Sequence, residues 1–584
     1  MVGNAVQRLP RPSANIVFLP VAAVFVVLGL VAIAKYGWTE IHADQWRLYR
    51  IYLEKPFPAD ILTLENGHRP VFPALLRVVE MEWLLANQVL QLAVGALLAL
   101  CTVLLLAHVA RHDDSLPAAC RGAAIAMAAF GIFWMGNARY LLHGNESVHG
   151  YLLTTCLAGG LLLVTGSRQG ARPLLSALLL AFIATFSFGP GMATFVALGM
   201  VLAIQRRYRL LPWLAAGLAM TVTLYFLLPG GTGVRDRLAF DPVLTLTTAA
   251  TWLCSAPVNM LLAFIDPKVG SYLPDLIKPV AAASSGLYER AFGSIWSNHR
   301  HVAVAGLSAI AYVTWASVDT WRHRLGSRTL LVALGLAWFA IAASIIVALA
   351  RADYFVQFPE QIFATRFLPW SSLFWMAVTW IALVRGSRAT AAGKPRLATV
   401  FVALALATGL ATGIGYVGWG HRVQKDIRLV ATGLAVGVLP VNGGRYGETY
   451  LNEVLEGLPA VRSAGLSMFA WPESRMQGRR ITWAATEAWP DPPVIEFDDV
   501  DNELPDAPAW EIRFTAPAGE GRRRLLAVDA EHRVVGLLSR FVEGDSIRFR
   551  GYVVGLDDKR GLRIASLDKD GRIRCHANCM PAVD

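Results

Sequence analysis

Eleven stretches of the chain are apolar for long enough to cross a lipid bilayer, and nothing else restricts the fold as much. They fall at about 16–34, 84–110, 120–136, 150–165, 173–187, 191–205, 211–228, 301–320, 329–350, 367–384 and 397–418. A helix needs about 20 apolar residues to span the hydrocarbon core, where every backbone polar group must be bonded internally. Only 16% of the residues are charged, against about 25% in a soluble globular chain. The sequence therefore predicts a mainly α polytopic membrane domain over residues 1–420, with about eleven transmembrane helices. The first run contains a proline and lacks a small-residue cleavage site, so it reads as a retained span. A twelfth run, about 243–265, contains Pro257 and Asn259. It is expected to dip in and return, or to lie along the surface.

Arginines fix the expected orientation. Arg206, Arg207 and Arg209 form one basic loop, Arg322, Arg324 and Arg328 a second, and Arg385, Arg388, Lys394 and Arg396 a third. Placing all three in the cytoplasm satisfies the positive-inside rule. It puts the N-terminus inside, and the 36–83 loop and the tail from His421 outside. The net charge of +11 is explained by these loops and has no aromatic-interleaved basic stripe, so a nucleic-acid partner is not expected. The acids are distributed differently. Of 18 Asp and Glu residues before His421, seven lie in the first outer loop.

That loop is about 45 residues long, the length of a functional or disordered connection. Its aromatic residues Trp46, Tyr49, Tyr52, Phe57 and Phe72 argue for order. Helical spacing predicts two amphipathic helices on the outer membrane surface, at about 44–54 and 70–82, with Glu65 to Arg69 as the turn between them. Two polar clusters result: Glu40, His42 and Asp44 after the first span, and Glu65, His68 and Arg69 in the turn. The outer loop NARYLLHGNESVHG adds Arg139, His143, Asn145, Glu146 and His149, and RADYFVQFPEQIFATR puts Arg366 at the start of a span. Arginine at that depth is costly unless paired or bound to an anion; Asp353 is one partner in reach, a phosphate is another. Outward carboxylates and arginines suit group transfer from a lipid-linked phosphate donor.

The acidic first loop (EIHAD), its two loop helices, about eleven spans and an outward C-terminal domain resemble the GT-C class of integral membrane glycosyltransferases. The run DQWRLYRIYLEKPF…ENGHRPVFPALLR also resembles a set of bacterial multi-pass membrane proteins with a DDW-like start and an N-E-H-R-like turn. This chain has one acid, Asp44, where a pair is expected, and Glu65 is displaced from His68. The resemblance implies transfer of a sugar from a polyprenyl-phosphate carrier to a glycan, lipid or protein acceptor outside the bacterial inner membrane. It implies Asp44 or Glu40 as the catalytic base, His68 and Arg69 as groups that hold the donor phosphate or orient the base, and Arg366 as a second phosphate ligand; the loops themselves offer Glu65 as a further candidate base and Arg139 as a further phosphate ligand. No cofactor is named; the carboxylates suit schemes with or without a divalent metal.

The tail from His421 to Asp584 reads as a soluble extracytoplasmic α+β or β-sandwich domain, helical first and β-rich from about 508. Cys575 and Cys579 in CHANC are the one close cysteine pair, suited to a disulfide in an oxidising compartment. Three other activities fit the composition: a transporter or flippase of lipid-linked saccharide, a membrane acyltransferase using His68, and a non-catalytic envelope assembly protein. A transporter would carry ionisable groups in its spans, and these spans are poor in them.

Overall fold

The computed structural model describes residues 15–166, 170–229, 241–265, 270–271, 273–296, 298–324, 326–389, 395–440, 448–483, 485–486, 489, 493–504, 508–516, 520–543, 546–556, 559–578 and 580–581. The chain forms two compact units. The first comprises Met1–Gly37, Ile61–Leu76 and Gln91–Gly420; the second comprises Trp38–Asp60, Arg77–Leu90 and His421–Asp584.

The helices, in chain order, are α1 (Asn15–Tyr36), α2 (Gln45–Glu54), α3 (Val71–Leu84), α4 (Val89–Arg111), α5 (Ala118–Phe133), α6 (Ala138–Leu142), α7 (Gly144–Thr165), α8 (Ala171–Thr185) and α9 (Ala193–Ile204). They continue with α10 (Leu211–Leu227), α11 (Pro242–Leu253), α12 (Ser255–Ile265), α13 (Lys278–Phe292), α14 (Arg300–His323), α15 (Arg328–Gln357), α16 (Leu368–Ala389), α17 (Pro395–Val436) and α18 (Glu448–Ser463).

Each of the eleven apolar runs contains helix. Among the described residues nine helical stretches are long and apolar enough to cross a membrane. The run at 173–187 forms α8, and the run at 191–205 forms Gly189–Ile204; both are too short. The 15 residues of α8 reach about 22 Å, against a hydrocarbon core of about 30 Å. The break between them is written in FGPG, where Phe188 is extended and Pro190 starts a new helical turn. The 243–265 run is likewise broken, into α11 and α12 bent by 61°. Asp241 caps α11 by accepting from the Val243 and Leu244 amides. At the bend, Ser255 donates to the Ile362 carbonyl and Asn259 to the Phe363 carbonyl, while the Tyr416 hydroxyl donates to Asn259 Oδ1. Small residues let the helices approach closely. A Cβ on Gly306 of α14 would strike the Ala250 backbone of α11.

Both predicted loop helices form, as α2 and α3. The apolar face of α2 does not lie free for a bilayer, however. Trp46, Leu48, Tyr49 and Tyr52 are buried in the second unit, where α2 packs on α18. Gly457 of α18 meets Trp46 so closely that a Cβ would stand 2.5 Å from the Trp46 carbonyl oxygen. Arg50 pairs with Glu456 at 3.0 Å beside this contact. Helix α3 does keep outward apolar side chains, Phe72, Leu75 and Trp83.

Among the described residues the second unit also holds a nine-stranded sheet. Its strands are β1 (Ala485–Thr486), β2 (Val494–Val500), β3 (Ala509–Thr515), β4 (Arg524–Val528), β5 (Val534–Glu543), β6 (Ser546–Val554), β7 (Arg563–Leu567), β8 (Ile573–Asn578) and β9 (Met580–Pro581). The order is β1-β8-β7-β4-β5-β6-β3-β2-β9. Strands β8 and β9 are nearly continuous in the chain yet pair on opposite flanks, β8 with β7 and β9 with β2. The sheet must therefore curl until its two ends meet. Ile512, Leu525, Leu538, Phe549, Val553 and Ile564 form its core. Strands begin earlier than 508, because VIEFDDV pairs as β2 despite its acids; Glu496 and Asp498 are held by Arg513 of β3.

Candidate functional site

Glu65-Asn66-Gly67-His68 forms a tight turn. The Glu65 amide donates to the His68 carbonyl at 2.8 Å and the His68 amide donates back at 2.7 Å. Asn66 has φ +48° and Gly67 φ +81°, the left-handed pair a type I′ turn demands and Asn-Gly supplies at least cost. The Tyr225 hydroxyl donates to the Gly67 carbonyl and holds the tip.

The turn brings its two ionisable side chains to the first turns of α7. Glu65 Oε2 is 3.7 Å from His149 Nε2, both groups being buried. The His149 ring stacks on Phe188 at 5.8 Å, and His68 packs on the same phenyl at 4.8 Å. A Cβ on Gly189 would collide with the His68 imidazole, so the FGPG break is shaped to receive it. Burial, and then the charge of Arg351, push the His68 pKa down to about 4. At neutral pH His68 is thus an uncharged hydrogen-bonding group.

One helical turn before His149 on α7 stands Glu146. Its Oε1 accepts from Arg139 Nε at 2.6 Å and Nη2 at 2.5 Å, with His143 Nδ1 at 3.7 Å. The chain is bent for this purpose: α6 ends at Leu142, His143 is extended, and α7 starts anew at Gly144. Glu146 Oε2 and Asn145 Oδ1 are buried and accept no hydrogen bond among the described residues. Arg366 lies on a 3-10 turn, Thr365–Phe367, that packs against α6. Its Nη2 donates to Gln361 Oε1 at 3.2 Å, so the expected partner Asp353 is replaced by an amide. Tyr140 feels the charges of Glu146, Arg139 and Arg366 together. A row of rings, His149, Phe188, Trp370 and Tyr140, joins the two polar groups.

Other predicted residues do different work. Arg69 is buried, with Nη1 donating to the Leu62 and Pro229 carbonyls at 2.9 and 2.8 Å and Nη2 to the Leu228 carbonyl at 2.6 Å. Its guanidinium ties the loop to the end of α10. Glu40 and Asp44 belong to the second unit. Glu40 is buried, 3.9 Å from Arg428 Nε, and within the field of Arg524, whose guanidinium lies 3.6 Å from the Trp471 ring centre. Asp44 precedes α2; its carbonyl accepts from the Leu48 amide at 3.1 Å, and its side chain makes no capping bond to the helix. Burial, followed by the charge of Asp44, raises the pKa of Glu453 on α18. Among the described residues no three His, Cys, Asp or Glu side chains gather as a metal site. Cys575 is buried on β8; Cys579 lies outside the described residues, and so does their pairing.

Phe188, Trp370 and Arg351 escaped the sequence reading. The signal for Phe188 was the FGPG break, which marks where backbone leaves helix inside an apolar run. Trp370 carries no local mark.

No family model matches the chain, and no curated protein matches it. Among solved structures it is similar to the crystal structure of ArnT from Cupriavidus metallidurans in the apo state, at 14% identity and a TM-score of 0.34, over 77% of this chain and 87% of that one. The fold described above rests on its own elements and not on that likeness.

Proposed function

We propose that the protein is a GT-C-like glycosyltransferase that moves a sugar from a polyprenyl-phosphate carrier to an acceptor hydroxyl on a glycan, lipid or protein. The observation that carries this reading is the pair of carboxylates, Glu65 and Glu146, set around the first turns of α7 in a unit of otherwise apolar helices. Each has its own basic neighbours: His149 for Glu65, Arg139 and His143 for Glu146.

Glu65, held by His149, takes the proton of the acceptor hydroxyl. The acceptor oxygen bonds to the anomeric carbon as the bond from that carbon to the phosphate oxygen breaks. Polyprenyl phosphate leaves with the electron pair, and Arg139 and Arg366 offset the charge that develops on it. The start of α7 adds the favourable end of a helix dipole. Neutral His68 donates or accepts a hydrogen bond without adding charge. Glu40 and Asp44 remain the alternative carboxylates, placed by the second unit. The site is taken to face outward from a bacterial inner membrane, with the N-terminus in the cytoplasm and residues 421–584 outside. A transporter would use the bent α11–α12 pair as its substrate seat, but Ser255 and Asn259 at that bend already donate to carbonyls.

Native mass spectrometry of the purified chain tests the proposal. A polyprenyl-phosphate species should co-purify and be lost in Arg139→Ala and Arg366→Ala. Glu65→Gln should retain the lipid and lose transfer by about 100-fold or more. Recovery of bulk phospholipid alone, even after polyprenyl phosphate is added, would sink it.

A further inference from the structure

The opposite set of helix ends in the first unit, after α9 and α14, carries arginines that the proposed reaction does not use. Two are spent on backbone. Arg207 donates to the Val164 carbonyl at 2.9 Å and Arg328 to the Leu162 carbonyl at 3.1 Å, closing the end of α7. The acid on α14, Asp319, is taken by Arg385 at 2.8 Å and His323 at 2.9 Å. Among the described residues Arg206, Arg209 and Arg322 pair with no carboxylate, and all three are exposed.

Arg206 packs on an aromatic platform, and Arg209 and Arg322 are the chain neighbours of its two rings, Tyr208 and Trp321. Arg206 has φ +58°, a left-handed conformation that a non-glycine residue adopts at a cost. This backbone places its guanidinium 5.1 Å from the Trp321 ring centre, with Nη2 donating to the Trp321 carbonyl at 3.0 Å. Trp321 Nε1 donates to the Tyr208 hydroxyl at 2.7 Å, which leaves the hydroxyl hydrogen of Tyr208 to donate outward. Trp321 is 39% exposed and Tyr208 49%. Along α10, which exposes most of its residues, Trp213, Met220 and Leu227 recur every seven residues and are 67%, 65% and 76% exposed, an apolar stripe along the helix. The cationic, hydrogen-donating head thus stands at the N-terminal end of the helix that carries these exposed apolar side chains.

We propose that Arg206, Tyr208, Arg209, Trp321 and Arg322 bind the phosphodiester headgroup of an anionic glycerophospholipid, whose acyl chains lie along Trp213, Met220 and Leu227. Arginine suits such a group because its fork meets two phosphate oxygens at once. Tryptophan and tyrosine suit the headgroup level because one end of each ring is polar. The stripe below argues for a lipid over a free anion, since inorganic phosphate would leave it uncovered.

The test uses the full chain in detergent, titrated with phosphatidylglycerol or phosphatidylcholine and read by native mass spectrometry. Wild type should prefer phosphatidylglycerol. Each arginine near an anionic headgroup strengthens attraction by about fivefold, so the double variant Arg209→Gln/Arg322→Gln should bind it about 25-fold more weakly. Among the described residues neither side chain forms a hydrogen bond or ion pair, so folding should be spared. The control Arg290→Gln/Arg300→Gln removes equal charge elsewhere and should bind as wild type does. Equal affinity for the two lipids, no loss in the double variant, or an equal loss in the control would each overturn the proposal. So would inorganic phosphate displacing the lipid at comparable concentration. Polyprenyl-phosphate retention should be unchanged in the double variant, which separates this site from the catalytic one.

Discussion

Arg69→Ala is the substitution that most sharply separates a structural role from a catalytic one. The wild-type guanidinium supplies three hydrogen bonds, to the carbonyls of Leu62, Leu228 and Pro229. A hydrogen bond with one charged partner contributes about 1.5–3 kcal/mol, so the simple sum is about 4–9 kcal/mol. The sum overstates the loss, because the freed carbonyls at the loop and at the end of α10 can take up water. About 3–4 kcal/mol is the expected cost, roughly a 150- to 1000-fold change in a local opening equilibrium. Hydrogen exchange reads this directly. The Glu65 and His68 amides, which bond each other's carbonyls across the turn, should lose that factor of protection, while amides in the core of α15 stay as in wild type. Arg69→Lys should recover only part, since one ammonium on a shorter reach cannot serve three carbonyls. If turn protection is unchanged in Arg69→Ala while retention of polyprenyl phosphate disappears, the clamp is refuted and Arg69 contacts the donor.

Two other outcomes follow from the geometry. His68 is held neutral, with a folded pKa of about 4 against 6.5 unfolded. Between those pH values the unfolded chain binds the extra proton, so stability falls as pH drops from about 6.5 to 4, by about 3 kcal/mol at most; an unfolding series in His68→Gln should lose that slope, and an unchanged slope would place it elsewhere. Gly457→Leu would drive α18 off Trp46 and should cost about 1–3 kcal/mol, seen as a lower unfolding midpoint of the second unit.

The apolar runs and the loop helices were legible because both follow from local composition. A run's length reports the bilayer, and spacing of Trp46, Tyr49 and Tyr52 reports one buried face. The β-rich stretch from about 508 was legible by alternation, whereas β2 was hidden by its acids, two of which, Glu496 and Asp498, are balanced by Arg513 on the neighbouring strand. What covers a face is not a local property. Nothing near Trp46 announces that its partner is Gly457, and nothing near Arg69 announces the carbonyls at the end of α10. The same holds for the site: Glu65, His143, Glu146 and His149 could be named from their loops, but their pairing required the bend at His143. Reading both Arg69 and Arg366 as phosphate ligands followed from residue type alone; the fold adds that Arg69 donates to three carbonyls while, among the described residues, Arg366 donates to one amide.

The division of the chain into units has a consequence for synthesis. The polypeptide enters the second unit at Trp38, leaves it after Asp60, re-enters at Arg77, leaves after Leu90 and returns only at His421. The apolar face of α2 is therefore made early and its partner α18 late. Roughly 400 residues separate them, which at ribosomal speed is an interval of about 20–80 s. Throughout that interval Trp46 and Tyr49 have no α18 to cover them. A fragment beginning at His421 would have the converse defect, with α18 complete and α2 missing. The second unit is thus a late-closing body that cannot be cut out as a C-terminal piece, and expression of residues 421–584 alone should yield protein that aggregates unless the 38–60 and 77–90 segments are supplied in trans.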